Sequence, residues 1–286
     1  MKHTYIFLLC IFSLIVTKAS AQEDYVLLPE NFVIHKGDKL NLHLIRANQF
    51  SMTDELKYEA SKTAKFGIQN GKKETDLLTV AKDSASPIIS MPMEAEDLQT
   101  IHMVRKSVTD DIEADDFIKL LEDEGYTQYA EKAKNGSKDS FREKYTWYLK
   151  SLVEVEKNSP NGFDKPLNDE FEIVLKDNPY KGNYGADIIA QVRLKGKPVP
   201  NVVVLFYIRT LKGKDVFAQK LSSDKEGQIY FKLSREGIYL LRAVYTEPSK
   251  EKGADFETWM STYTFGFTSS NEMPNTYKEF GFGNKH

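Results

Sequence analysis

Apolar and polar positions alternate with a period of two along much of the chain, the spacing of a strand with one buried face. Leu40, Leu42, Leu44 and Arg46 fall on one face of a segment whose other face carries Asn41, His43 and Ile45, and the turn residues His35-Lys36-Gly37-Asp38 introduce it. Shorter runs over residues 25–28, 66–69, 77–80, 88–91 and 100–108 read as further strands. Six short strands separated by turns predict a sandwich.

The period changes after Asp110. Phe117, Leu120, Leu121 and Glu124 recur at helical spacing, with Asp111, Glu113, Asp115 and Asp116 where acids complement the positive end of a helix dipole. Gly125 closes this helix, residues 126–134 predict a second that ends at Asn135-Gly136, and residues 137–144 open a third. A helical insert over about 110–144 therefore interrupts a β domain. From Tyr145 to Glu156 the period of two returns, so a strand is expected there.

Residues 158–169 hold Pro, Gly and Asn without periodicity and read as a linker. Beyond it, residues 171–175, 186–194, 202–209, 216–221, 228–233, 238–246 and 258–267 predict seven strands. Lys195-Gly196-Lys197, Asp224-Lys225-Glu226-Gly227 and Arg235-Glu236-Gly237 supply turns between them. The fold class expected is mostly β, with two β-sandwich domains of the immunoglobulin-like or transthyretin-like kind, the first carrying the helical insert. The first domain would span 22–157 and the second 170–268, followed by a tail over 269–286.

Composition adds a destination. Lys2 and His3, an apolar run from Tyr5 to Val16 and then Ala19-Ser20-Ala21 make the basic, greasy and small-residue zones of an export signal, with cleavage expected after Ala21. A run of about a dozen residues is short of the roughly 20 that span a bilayer. The one cysteine, Cys10, lies inside that run behind Leu8 and Leu9, whereas lipidation needs a small residue before the cysteine. Processing removes Lys2 and Lys18 and no acid, so 37 basic residues face 42 acidic ones, a balance that argues against a nucleic-acid partner. The mature chain has no thiol, and its core alone must stabilise it.

Phe171-Glu172-Ile173-Val174-Leu175 followed by Asn178-Pro179-Tyr180, then Gly196-Lys197-Pro198-Val199, Ser223-Asp224-Lys225-Glu226-Gly227 and residues 237–244 closing on Trp259 resemble the family known as domain of unknown function 4198. Residues 142–152 are similar to that family's segment before the linker, and Asp24-Tyr25 stands where its mature proteins begin. The resemblance implies a periplasmic protein of two sandwich-like domains, some relatives being associated with uptake of nickel or other metal ions. Relatives often carry histidine near the mature N-terminus and directly after the Arg-Ala-Val motif, where this chain has Glu23, Asp24 and Tyr245. A cation at those positions would meet hard oxygen ligands, and the nearest imidazoles are His35 and His43. Glu23, Asp24, His35, His43 and Tyr245 are thus the candidate metal set, for a divalent ion such as nickel.

Other candidates each have a plainer reading beside the chemical one. His43 and His102 lie in separate strands and could converge across a sheet, or stand apart; His286 ends the chain. The acids from Asp110 to Asp116 could hold a hard cation but lack the glycine of a calcium loop, which leaves a solvated helix start. Met91, Met93 and Met103 could bind a soft metal or pack in a core. Tyr145, Trp147, Tyr148 and Trp259 could line a carbohydrate or peptide groove or fill the cores. No Gly-x-Ser-x-Gly elbow occurs. The function expected is a periplasmic, non-enzymatic binding protein serving metal-ion or small-ligand uptake with a membrane component. The alternative is an interaction module docking on an outer-membrane receptor or a polymer through exposed strand edges.

Overall fold

The computed structural model describes residues 23–156, 162–211, 215–270 and 272–281. The expected export signal, Cys10 and His286 lie outside the described residues. Among the described residues no helix is long and apolar enough to cross a membrane, which says nothing of a β-barrel.

The strands up to the insert are β1 (Asp24–Pro29), β2 (Val33–Ile34), β3 (Lys39–Asn48), β4 (Ser51–Leu56), β5 (Thr63–Asn70), β6 (Lys73–Asp76), β7 (Ile89–Pro92), β8 (Asp97–Arg105) and β9 (Val108–Glu113). Helices α1 (Ala114–Asp123) and α2 (Thr127–Asn135) come next, then the long strand β10 (Ser140–Val155). The remainder comprises β11 (Phe171–Leu175), β12 (Asp187–Leu194), β13 (Lys197–Pro198), β14 (Val203–Thr210), β15 (Val216–Ser222), β16 (Gln228–Lys232), β17 (Gly237–Pro248), β18 (Phe256–Phe267) and α3 (Thr276–Glu279).

These strands form three layers. A ten-stranded sheet runs β15-β14-β17-β18-β10-β8-β5-β6, with β2 and β9 also paired to β10. A four-stranded sheet of β1, β3, β4 and β7 covers one face, and a second of β11, β12, β13 and β16 covers the other. Alternation then sends side chains of each central strand into two cores. On β10, Trp147, Leu149, Val153 and Val155 enter the first core while Tyr148 and Leu152 enter the second. On β17, Ile238, Leu240 and Val244 enter the first, and Tyr239, Leu241 and Ala243 the second. Burial on both faces explains why residues 238–244 read as a nearly unbroken apolar run.

The mostly β, sandwich-type class holds, but the two halves are not separate sheets. β10 and β18 pair in parallel over ten residues, from Glu143 opposite Phe256 to Leu152 opposite Phe265. The segment expected as a linker therefore joins halves that share one central sheet, and Phe163 within it is buried in the second core. Residues 158–161 of that segment lie outside the described residues.

Local differences have local causes. The third helix does not form, because β9 and β10 pair from Ser140 opposite Glu113 to Tyr145 opposite Val108 and so bracket the two helices. Asp110 and Asp111 consequently stand in a strand. Phe117 and Leu121 of α1 pack with Phe141 and Phe256 in a small third cluster. Residues 77–80 form a turn in which the Leu77 carbonyl accepts from the Val80 and Ala81 amides. β4 has no apolar alternation, and its turn is Gln49-Phe50, at φ 48° and 62°. Both central residues at positive φ make a tight hairpin turn usually written with Asn and Gly, so the sequence conceals it.

Candidate functional site

The structure disperses the five candidate metal ligands. Glu23 lies at the surface, 3.1 Å from Arg46 Nε. Asp24 is buried and accepts from Arg242 Nε at 2.5 Å, and Arg242 also donates to buried Glu124. Burial pushes the Asp24 and Glu124 carboxyls up despite the guanidinium beside them, which is two acids to one base in a dry site. His35 is 80% exposed, 3.5 Å from Glu156. His43 is buried, with Nδ1 2.7 Å from Glu55 and Nε2 3.2 Å from Glu30. Tyr245 packs near the rings of Trp259, Phe171 and Tyr126.

Register and parity explain the dispersal. Asp24 pairs with Ala47 and His43 with Leu28, so the two sit four residues, roughly 13 Å, apart along β1. Arg242, which holds Asp24, and Tyr245 are three apart on β17 and project to opposite faces. The two nitrogens of His43 serve different carboxylates at opposite edges of its ring, so the trio cannot close on one cation. Among the described residues no group of three His, Cys, Asp or Glu is placed to hold a metal ion.

The other candidates resolve as packing. His102, on β8, points into the second core and is separated from His43 by the central sheet. Met91, Met93 and Met103 belong to the first core. Trp147, Tyr148 and Trp259 are buried and Tyr145 is half-buried, so this quartet lines no groove.

A hollow with polar walls lies instead where β14 and β18 end and β17 begins. One arm, about 710 Å³, is lined by Tyr184, Thr210, Arg235, Glu236, Thr268 and Glu272, among others. A shorter arm, about 280 Å³, is lined by Lys181, Gly182, Asn183, Tyr184, Thr268 and Ser269, with Tyr180. Tyr184 and Thr268 line both, so the two arms adjoin at these residues and are treated as one groove. Thr268 is only 6% exposed, yet its Oγ1 has no hydrogen-bond partner among the described residues. A buried hydroxyl left unpaired costs about 1–3 kcal/mol unless a water or a ligand reaches it.

The walls of the groove are preset. The Asn178 side chain accepts from the Tyr180 amide and starts a 3-10 turn, Pro179–Lys181, that projects the loop to Tyr184. A Cβ on Gly182 would come within 2.4 Å of Leu233 Cδ1, so a larger residue here would require the Leu233 side chain to move aside. Arg235 lies over the Phe217 ring at 3.7 Å, and Glu236 accepts from the Ser269 amide and hydroxyl. Sequence reasoning passed over these residues because they occupy turns without periodicity. The available signal was an aromatic set among turn residues, Gly182-Asn183-Tyr184-Gly185.

The family model described as Domain of unknown function (DUF4198) matches residues 19–247. No curated protein matches the chain. Among solved structures, the three N-terminal domains of the highly immunogenic outer capsid protein of bacteriophage RB49 are 8% identical over 86% of this chain and 71% of that one, with a TM-score of 0.22. Trypsin-activated alpha-2-macroglobulin from Escherichia coli is 7% identical over 87% of this chain but 16% of that one, with a TM-score of 0.20. Neither likeness is close enough to carry over a fold or a role.

Proposed function

The chain belongs to the family of the domain of unknown function DUF4198, and for this member we propose a non-enzymatic, periplasmic binding protein that holds a small polar ligand in the groove around Tyr184 and Thr268. The observation that carries this reading is the buried, unpaired Thr268 hydroxyl where the two arms meet. A few placed polar groups in a concave site of roughly 300–1,000 Å³ are the usual makings of small-ligand recognition. Of the two roles anticipated, the groove supports small-ligand handling, and the separation of the candidate metal ligands counts against metal-ion handling.

The test is a screen of polar small molecules by NMR shift perturbation on the processed chain, followed by titration with Thr268→Val. Removing one hydrogen bond is worth about 1 kcal/mol, or about fivefold in affinity. Because the hydroxyl has no partner among the described residues, Thr268→Val should leave stability unchanged or raised. A marked loss of stability, or ligands that bind elsewhere, would refute the reading.

A second reading rests on β15. This strand ends the central sheet, is exposed at six of its seven positions and presents Val216 and Phe217 to solvent. Such an edge suits pairing with a partner's strand. A proline at Ala218 that abolishes a partner interaction without affecting the groove would favour it.

A further inference from the structure

We propose that the groove takes a neutral oligosaccharide segment, with Tyr184 as the platform on which one sugar ring stacks. This rests on the reading of the groove as a binding site and specifies what enters it.

The groove crosses the ends of strands. β14 stops at Thr210, β17 starts at Gly237 and β18 stops at Phe267, and the lining residues lie at or beyond those ends. Among the described residues the groove meets strand ends and turns, which give an extended peptide no continuous ladder of amides and carbonyls to pair with. Recognition must come from side chains, and these are mixed in kind. Thr268 and Ser270 offer hydroxyls, which both donate and accept, while Glu272 accepts and Arg235 donates; the Thr210 hydroxyl already donates to the Asp215 carbonyl. A sugar hydroxyl also does both, and such a wall satisfies it in either role.

Charge points the same way. Lys181 and Arg235 stand among Glu236, Glu272 and Glu279, and Glu236 is already occupied by Ser269. Among the described residues neither sign dominates, so these side chains set up no field that selects an anion or a cation. What it does have is an aromatic face. Tyr184 is 66% exposed and has no ring stacked on it among the described residues. The apolar C–H face of a pyranose covers such a ring, burying apolar area on both sides while its hydroxyls point outwards to the walls. Two arms meeting at Tyr184 suit a chain of sugar rings better than a single one.

The experiment applies the processed full-length chain to an array of neutral glycans and titrates the best soluble hit by calorimetry. Binding of at least one neutral oligosaccharide is expected, weakened at least tenfold by Tyr184→Ala and retained in Tyr184→Phe, which keeps the ring. Tyr184 is exposed, so both variants should melt with the wild type. No glycan bound, or one bound equally by Tyr184→Ala, overturns the proposal. If amino acids or dipeptides shift the Tyr184 and Thr268 NMR signals while no saccharide does, the sugar assignment fails and the groove reading stands. If neither class shifts them, both fail.

Discussion

His102 stands on β8 opposite Gly67, where a Cβ would come within 2.8 Å of its Nε2, so the imidazole fills space that any side chain at 67 would need. Glu74 approaches Nε2 to 3.3 Å, but neither ring nitrogen makes a hydrogen bond. Burial, aided by the positive charges of Lys65 and Lys150, drives its pKa down to about 3. The folded protein thus refuses a proton that the unfolded chain accepts near pH 6.5, and stability falls as pH drops below that value. Each unit of pKa difference is worth about 1.4 kcal/mol, so about 2–3 kcal/mol should be lost between pH 7 and 4.5 on this account. Denaturant titrations at several pH values should show a shallower slope for His102→Gln than for the wild type. Parallel slopes would mean that His102 is not the group responsible. Its position was legible as a strand residue, but its protonation depends on burial first and on two lysines second, both of which only folding brings about.

At the level of elements, α3 is four residues long and is held by what it touches. The Thr276 amide donates to the Glu30 carbonyl at 2.6 Å and its hydroxyl to the Pro29 carbonyl at 2.5 Å. The Tyr277 ring stacks on His43 at 3.9 Å and its hydroxyl donates to Glu55 at 2.5 Å, while Asn275 donates to Glu30 at 3.2 Å. Burial would raise both carboxyls, but hydrogen bonds outweigh it and hold them below their ordinary value: Asn41, His43 and Asn275 on Glu30, and Ser86, Tyr277 and His43 on Glu55. A lowered carboxyl contributes stability that is complete above its unfolded value of 4.5 and disappears as pH falls through the folded one. This window opens at lower pH than that of His102 and overlaps its lower part. Glu55→Gln should cost about 1.5–3 kcal/mol, the range for hydrogen bonds to a charged group, and should speed amide exchange at residues 275–280 beyond any change elsewhere. Unaltered exchange there would show that the tail is held by other contacts. Because Glu272 and Glu279 of the same tail line the groove, a loosened α3 should also weaken the ligand. The strands of the second half were legible within a few residues because alternation and glycine turns agree there. β4 and β9 were not, the first because its turn uses Gln49-Phe50 and the second because its acids mimic a helix start.

The whole molecule is organised by one sheet with a core on each face. In the segment 170–268, the first-core face of β18 is covered from outside, with Thr262 donating to the Tyr25 carbonyl at 2.7 Å and Thr264 to that of Leu27 at 2.8 Å. Cutting in the linker would bare Ile238, Leu240, Val244 and Met260 and strip β18 of β10. A fragment of residues 170–268 should therefore lack a cooperative thermal transition, and a sharp reversible melt would show that the second sandwich is self-sufficient. By itself the sequence determined the mostly β class, the positions of most strands, which residues share a face, and a family likeness that the match over 19–247 bears out. These are local properties, since the period of two and the turn residues are written in consecutive positions. Only the tertiary structure decided that β10 pairs with β18, that Arg242 finds Asp24 and Glu124 at separations of 218 and 118 residues, and that Tyr184 and Thr268 meet in one groove. Pairing across such distances is selected by burial and complementarity over the assembled chain, which no window of sequence contains.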